Sequence, residues 1–180
     1  MNAISSLIVI KEYETADTML AKLSEFLRAT LSSQPDALLP LEDELATLQH
    51  YLEIESARFG ERLAVEFVCP ARLNDALVPG FLLQPLVENA VKYALAPSAE
   101  PVTIRVEATQ LAEELILKVQ DDGPGPTPAT KPGTGLGIAN VRQRLETVYA
   151  AAGTLETRQL ERGFVATVRL PLQRREQVPA

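Results

Sequence analysis

The feature that most limits what this chain can become is a change in the spacing of its apolar residues near Gly60. Before that point Ala16, Met19, Leu20, Leu23, Leu27 and Leu31 recur every three or four residues, the spacing of one helix face. Pro35 ends this stripe. Pro40 then precedes an acidic turn, Glu42, Asp43 and Glu44, which complements a helix N-terminus, and Leu45, Leu48, Leu52 and Phe59 carry a second stripe to Gly60. Two helices with a short connection pack antiparallel as a hairpin. A lone hairpin buries too little, so it needs either the rest of the chain or a second copy that completes a four-helix bundle. After Gly60 the period becomes two: "RLAVEFVC", "PVTIRVEATQ", "ELILKVQ", "TLETRQL" and "GFVATVRLP" alternate and are rich in β-branched residues, as strands are. Two helices interrupt them, one over 82–95 and one around 136–150. The predicted class is α+β: a partial helical hairpin over 1–60, a compact sheet domain over 61–172 and a frayed tail over 173–180.

Composition narrows the possible partners. With 46% hydrophobic residues among 180, the chain can bury a real core. A net charge of -7 argues against general attraction to nucleic acid or an anionic membrane, so any phosphate site must be built locally. Cys69 is the only cysteine and ends an apolar run, which reads as a buried thiol in a reducing compartment. No apolar run approaches the roughly 18 residues that span a bilayer, and no signal-peptide pattern opens the chain. A cytoplasmic placement without membrane contact is expected.

Three segments carry chemistry. In "LLQPLVENAVKYAL", residues 82–95, Leu83, Leu86, Val87, Ala90, Val91 and Ala94 share one helical side, while Gln84, Glu88, Asn89, Lys92 and Tyr93 share the other. Glu88 and Lys92 are also spaced for an ordinary i,i+4 ion pair on a solvated surface. The strand "LILKVQ" runs into "DDGPG", Asp121 to Gly125, which by itself reads as a tight turn. Finally "GTGLGIANVRQRL" opens a helix with Gly133, Gly135 and Gly137 at alternate positions. Such glycines let backbone approach a bound group, and a helix N-terminus behind them offers N–H donors to a phosphate.

In this order the segments resemble the asparagine box and the two glycine boxes of the Bergerat-fold (GHKL) ATP-binding domain shared by histidine kinases, MutL and type II topoisomerases. No Gly-Lys-Ser/Thr follows the glycines, so this is not a Walker site. Together with "PLEDELATLQHYLEIESARFGERL", the segments resemble the LytS-type sensor histidine kinases over nearly the whole chain. The resemblance implies a mixed β-sheet layered with α-helices and preceded by the hairpin.

It also implies residue roles. Asn89 would ligate Mg²⁺ through its side-chain oxygen, a donor that hard cations favour. Glu88 would orient or deprotonate the attacking group, or hold a metal-bound water, and Lys92 would face the phosphates. Asp121 would accept from the adenine amino group, with Gly123 and Gly125 letting the backbone pass beside the base. Gly133, Thr134, Gly135, Leu136 and Gly137 would close over the triphosphate, with Asn140 and Arg144 on the helix behind. The cofactors implied are ATP and Mg²⁺; the partners are a response regulator and a second copy of the chain. Two positions depart from the subfamily pattern: Tyr93 stands where His is common, and Asp122 where Asn is common, adding a negative charge beside the base pocket. The lid segment "PTPATKP" is short and Pro-rich, which limits its closure.

In the resembled family a histidine in a Pro-His-Phe-Leu-Phe-Asn box on the first helix receives the γ-phosphate. The segment "MNAISSLI" resembles the sequence just downstream of that box, and His50, the only histidine, lies on the second helix where the resemblance places no acceptor. The expected behaviour is ATP binding without self-phosphorylation. The alternatives are a non-catalytic nucleotide-binding dimerisation module and an ATPase clamp of the MutL kind.

Overall fold

The computed structural model describes residues 8–32, 37–124 and 136–174. Helix α1 spans Tyr13–Ser32 and α2 spans Leu41–Phe59, forming the expected hairpin. A short strand β1, Leu38–Pro40, leads into α2, and Gly60 ends that helix with φ +58. Then come β2 (Leu63–Val68), β3 (Leu77–Pro79), α3 (Gln84–Ala90), β4 (Val102–Leu111), β5 (Glu114–Asp121), α4 (Leu136–Tyr149), β6 (Thr154–Gln159) and β7 (Phe164–Pro171).

Five strands form one sheet in the order β2-β4-β5-β7-β6; β2 and β4 are parallel, and the other neighbours are antiparallel. Alternation decides which way the sheet faces. Val102, Ile104, Val106 and Ala108 of β4, Leu115, Leu117 and Val119 of β5, and Ala166, Val168 and Leu170 of β7 are buried on one face. The opposite face carries Glu66, Arg105 and Glu107, joined by ion pairs of 3.1 and 3.8 Å. Solvated pairs of this kind contribute about 0–1 kcal/mol, so the buried face dominates the energetics.

Three helices cover that face. Leu41, Leu48, Leu52 and Phe59 of α2, Leu86, Val87 and Ala90 of α3, and Val141, Leu145 and Tyr149 of α4 belong to one core with the strands. The hairpin therefore meets the rest of the chain through its second helix. Its first helix buries Ala16 and Met19 but leaves Tyr13 and Leu20 exposed.

Two features depart from the sequence reading. Strands β1 and β3 pair antiparallel, Leu38 with Pro79 and Pro40 with Leu77; three residues each, with prolines at their ends, are too short to display an alternation. The start of the tail is held in place: Gln173 O accepts from Leu77 N at 2.8 Å, Ala76 bridges to Arg174, and the Arg174 guanidinium donates to Asp75 and to Arg72 O. Among the described residues, no helix is long and apolar enough to cross a membrane.

Candidate nucleotide site

Helix α3 begins with Pro85 in its first turn, where the missing N–H needs no partner. Its predicted division into two sides holds: Leu83, Leu86, Val87, Ala90, Val91 and Ala94 are all at most 5% exposed, while Glu88 and Lys92 face solvent and Asn89 and Tyr93 are half-buried. The α-helix is shorter than the sequence pattern, because it widens at Val91–Leu95 into a π-helical turn closed by Ala96 N donating to Val91 O at 2.8 Å. Single π turns inside helices occur often at functional sites.

The ion-pair alternative for Glu88 and Lys92 does not form among the described residues. Glu88 Oε1 accepts from Gln84 Nε2 at 2.7 Å, and Lys92 Nζ lies 5.0 Å from the Tyr93 ring centre. Helix α2 adds charge beside Glu88. Burial raises the Glu55 carboxyl above its ordinary range, against Arg58, and repulsion from Glu88 pushes in the same direction. Burial also raises the Tyr51 hydroxyl, with Glu55 and Glu88 adding to the effect.

Asp121 ends β5 and is 4% exposed. Its Oδ1 accepts from Gly123 N at 3.1 Å. Burial raises its carboxyl above the ordinary 3.8; backbone N–H groups of Gly123 and Phe164 oppose this, and Asp122 adds to it. Gly123 is required by packing, since a Cβ there would lie 2.5 Å from Ala94 Cβ in the π turn and 2.9 Å from Ala94 Cα. Asp122, the departure noted in the sequence, turns away from this contact: its Oδ1 accepts from Thr103 N at 2.7 Å and so extends the β4–β5 pairing.

At the other end of the site, α4 starts with Leu136 and Gly137. A Cβ on Gly137 would lie 3.5 Å from Pro85 O and 3.8 Å from Asn89 Nδ2, so the first turn of α4 sits beside the α3 face that carries Pro85 and Asn89. Leu136 is 61% exposed and Asn140 is exposed. Gly125, Gly133, Thr134 and Gly135 lie outside the described residues, as does the lid segment. Arg144 points elsewhere than expected: its Nη1 donates to the carbonyls of Gly80 and Phe81, the latter at 3.0 Å, in the segment that leads into α3.

Helix α3 is thus a common wall. Its π turn meets Gly123 beside Asp121, and its Pro85 and Asn89 meet Gly137. The residues fit a magnesium–nucleotide: Asn89 presents a half-buried amide with an oxygen donor, and Glu88 stands next to it with a carboxylate open to solvent.

Residues 74–174 match the family described as "Histidine kinase-, DNA gyrase B-, and HSP90-like ATPase". The chain belongs to this ATPase family. Residues 1–63 match the histidine kinase family as well. Among curated relatives of this kind, sensor histidine kinase YpdA of Escherichia coli strain K12 is 30% identical over 97% of this chain and 32% of its own length. Sensor protein LytS of Staphylococcus haemolyticus is 31% identical over 95% of this chain and 31% of its own length. The chain thus spans about a third of the length of the curated relatives it matches. The solved catalytic domain of histidine kinase ThkA superposes with a TM-score of 0.58 at 19% identity, covering 76% of this chain and 95% of that one. ThkA has also been solved in complex with a response regulator protein, TrrA; that kinase chain gives a TM-score of 0.56 at 18% identity, covering 93% of this chain and 50% of that one. At such identity the likeness shows the shared histidine-kinase ATPase fold.

Two residues that hold backbone beside this candidate site escaped the sequence reading. Gly163, in the turn between β6 and β7, has φ +87 and packs against the Asp121–Asp122 backbone. Glu44, read as one of three acids complementing a helix N-terminus, is instead 4% exposed and bonded to the chain before α3. A signal for it existed: Glu44 falls three residues after Leu41 and four before Leu48, on the buried line of α2.

A pH dependence follows from the Asp121 shift. Because its folded pKa is raised, the folded chain holds more protons than the unfolded chain in the window above 3.8, and this group's contribution to stability falls as pH rises through the folded value. With Asp121 as the acceptor for an adenine amino group, the role that the resemblance implies, nucleotide recognition would run the other way, since the charged carboxylate is the stronger acceptor. Calorimetric titration with Mg–ATP across pH should show affinity falling on acidification with a midpoint above 3.8, and the Asp121→Asn variant should lack that limb.

Proposed function

We propose that this chain is the ATP-binding catalytic module of a two-component sensor histidine kinase, acting on the cytoplasmic side. The observation that carries this reading is the double contact of α3, with Gly123 beside Asp121 against its π turn and Gly137 against Pro85 and Asn89. Asp121 selects adenine by accepting from its amino group. Gly123 and Gly125 admit the base, and Gly133, Thr134, Gly135, Leu136 and Gly137 close over the phosphates. Lys92 and Asn140 face the phosphate chain, whereas Arg144 holds the loop before α3. Asn89, with Glu88 beside it, would hold Mg²⁺, which when bound neutralises charge on the phosphates. Glu88 takes the proton of the acceptor histidine as its ring nitrogen bonds to the γ-phosphorus and ADP departs. Positioning and charge neutralisation supply most of the rate.

The hairpin over 1–60 pairs with a second copy, leaving 61–172 as the catalytic domain and 173–180 as its tail. Exposed Tyr13 and Leu20 on α1 support this pairing, since they would be covered in a four-helix bundle. The phosphorylated histidine then serves a response regulator.

Labelled ATP tests the reading, supplied with and without an added helix bearing the Pro-His-Phe-Leu-Phe-Asn box. Acid-labile, base-stable phosphate is expected on the added helix only. Binding without transfer would favour a non-catalytic nucleotide module, and release of free phosphate alone would favour an ATPase clamp.

A further inference from the structure

The segment Gly80 to Leu83 joins β3 to α3 and is gripped from two sides. From α2, the Glu44 carboxylate accepts from Phe81 N at 2.8 Å through Oε2 and from Leu83 N at 2.9 Å through Oε1. From α4, Arg144 Nη1 donates to Gly80 O and Phe81 O. Phe81 is therefore held at both its N–H and its C=O, and its φ of +56 is one that L residues seldom adopt. Backbone of this kind persists only where its surroundings over-determine it. Glu44 is 4% exposed, so water cannot replace it as the acceptor for these two amides.

We infer that Glu44 is a positioning residue that sets the direction of α3, and hence the place of Asn89 and Glu88, from the second helix of the hairpin. This rests on the nucleotide reading of the site and extends it to residues that touch no nucleotide. Leu83 N, the last amide held, precedes Asn89 by six residues, about 9 Å at the rise of a helix. A change of angle at the grip therefore displaces the metal-binding end of α3 more than the gripped loop itself. Asp121 itself is held by β5 between β4 and β7, whereas Gly123 beside it packs on Ala94 at the far end of the same lever. The grip also gives the hairpin a route to the site, since Glu44 moves with α2 while Arg144 anchors the same loop to α4, the helix that follows the glycine lid. Burial raises the Glu44 carboxyl above its ordinary range, and the backbone N–H groups of Leu83, Phe81 and Leu82, together with the Arg144 charge, oppose that rise.

The test separates the two halves of the nucleotide. ATP affinity is measured by calorimetry in EDTA and again with excess Mg²⁺, for the wild-type chain and for Glu44→Gln, which keeps the side-chain volume but can accept at one atom only. The gain conferred by Mg²⁺ should shrink by about tenfold in the variant, while metal-free affinity changes by no more than about twofold because β4 and β7 hold the strand that carries Asp121. Hydrogen exchange should quicken at the amides of Leu82 to Asn89 and remain unchanged in β4 and β5. A variant that retains the full Mg²⁺ gain overturns the assignment, leaving the nucleotide site intact; a wild-type chain that binds no ATP under either condition overturns both. Should Glu44→Gln unfold, Arg144→Lys decides by the same ratio, because it loosens the loop from the opposite side.

Discussion

Gly163→Ala is expected to lower the unfolding midpoint sharply. A Cβ at this position would lie 1.8 Å from Asp121 O, 2.7 Å from Asp121 C and 3.0 Å from Asp122 Cα, and all three neighbours are backbone. A side chain could rotate away from such a collision; a paired strand end cannot. The φ of +87 adds conformational strain for any L residue. Core overpacking alone costs about 1–3 kcal/mol, and a collision of backbone with backbone belongs with the exceptional losses above about 4 kcal/mol. For a chain of this size that corresponds to a fall of roughly 8–16 °C in the unfolding midpoint. Thermal unfolding followed by circular dichroism measures it, and a midpoint equal to that of the wild type would mean that the β6–β7 turn does not rest on Asp121.

Asp121→Asn should do the opposite, removing nucleotide binding while sparing the fold. The amide oxygen of asparagine can still accept from Gly123 N, the contact that Oδ1 makes now at 3.1 Å. What is lost is the second acceptor and the charge. A charge-assisted bond of this kind is worth about 1.5–3 kcal/mol, so ATP affinity should fall by roughly 10- to 150-fold. Stability at neutral pH should stay level or rise, because a buried carboxylate whose pKa is raised chiefly by desolvation disfavours folding when charged. Calorimetry with Mg–ATP, paired with a melting curve, separates the two effects. Wild-type affinity in a folded Asp121→Asn chain would remove adenine recognition from this residue.

These variants differ in how visible their residues were before the structure. Asp121 stood at the end of an alternating strand and in front of two glycines, a pattern that names its own chemistry. Gly163 looked like any hairpin glycine, because what makes it indispensable is the backbone of a strand more than forty positions earlier in the chain. The division of α3 into a core side and a polar side was legible for a similar reason to Asp121: helical period is a local property, and Val87 and Glu88 follow it whatever packs nearby. The π turn at Val91–Leu95 was not, since five ordinary helix-compatible residues widen there, where Ala94 packs against Gly123. Arg144 shows the same limit from the side of function. Its place behind the glycine box suggested the phosphates, and only the fold brings it to the carbonyls of Gly80 and Phe81.

The sequence by itself determined the α+β class, the two helices of the hairpin, the five strands of the main sheet and the division of α3 into an apolar and a polar side. Period, turn chemistry and motif order are all carried by residues close together along the chain. Only the tertiary structure decided that α2 shares the core of the sheet domain, that β1 pairs with β3, that Glu44 and Arg144 bond to the segment before α3, and that Gly163 packs on the Asp121–Asp122 backbone. Those relations depend on which distant backbone atoms come within hydrogen-bonding or van der Waals reach, and no local pattern encodes that.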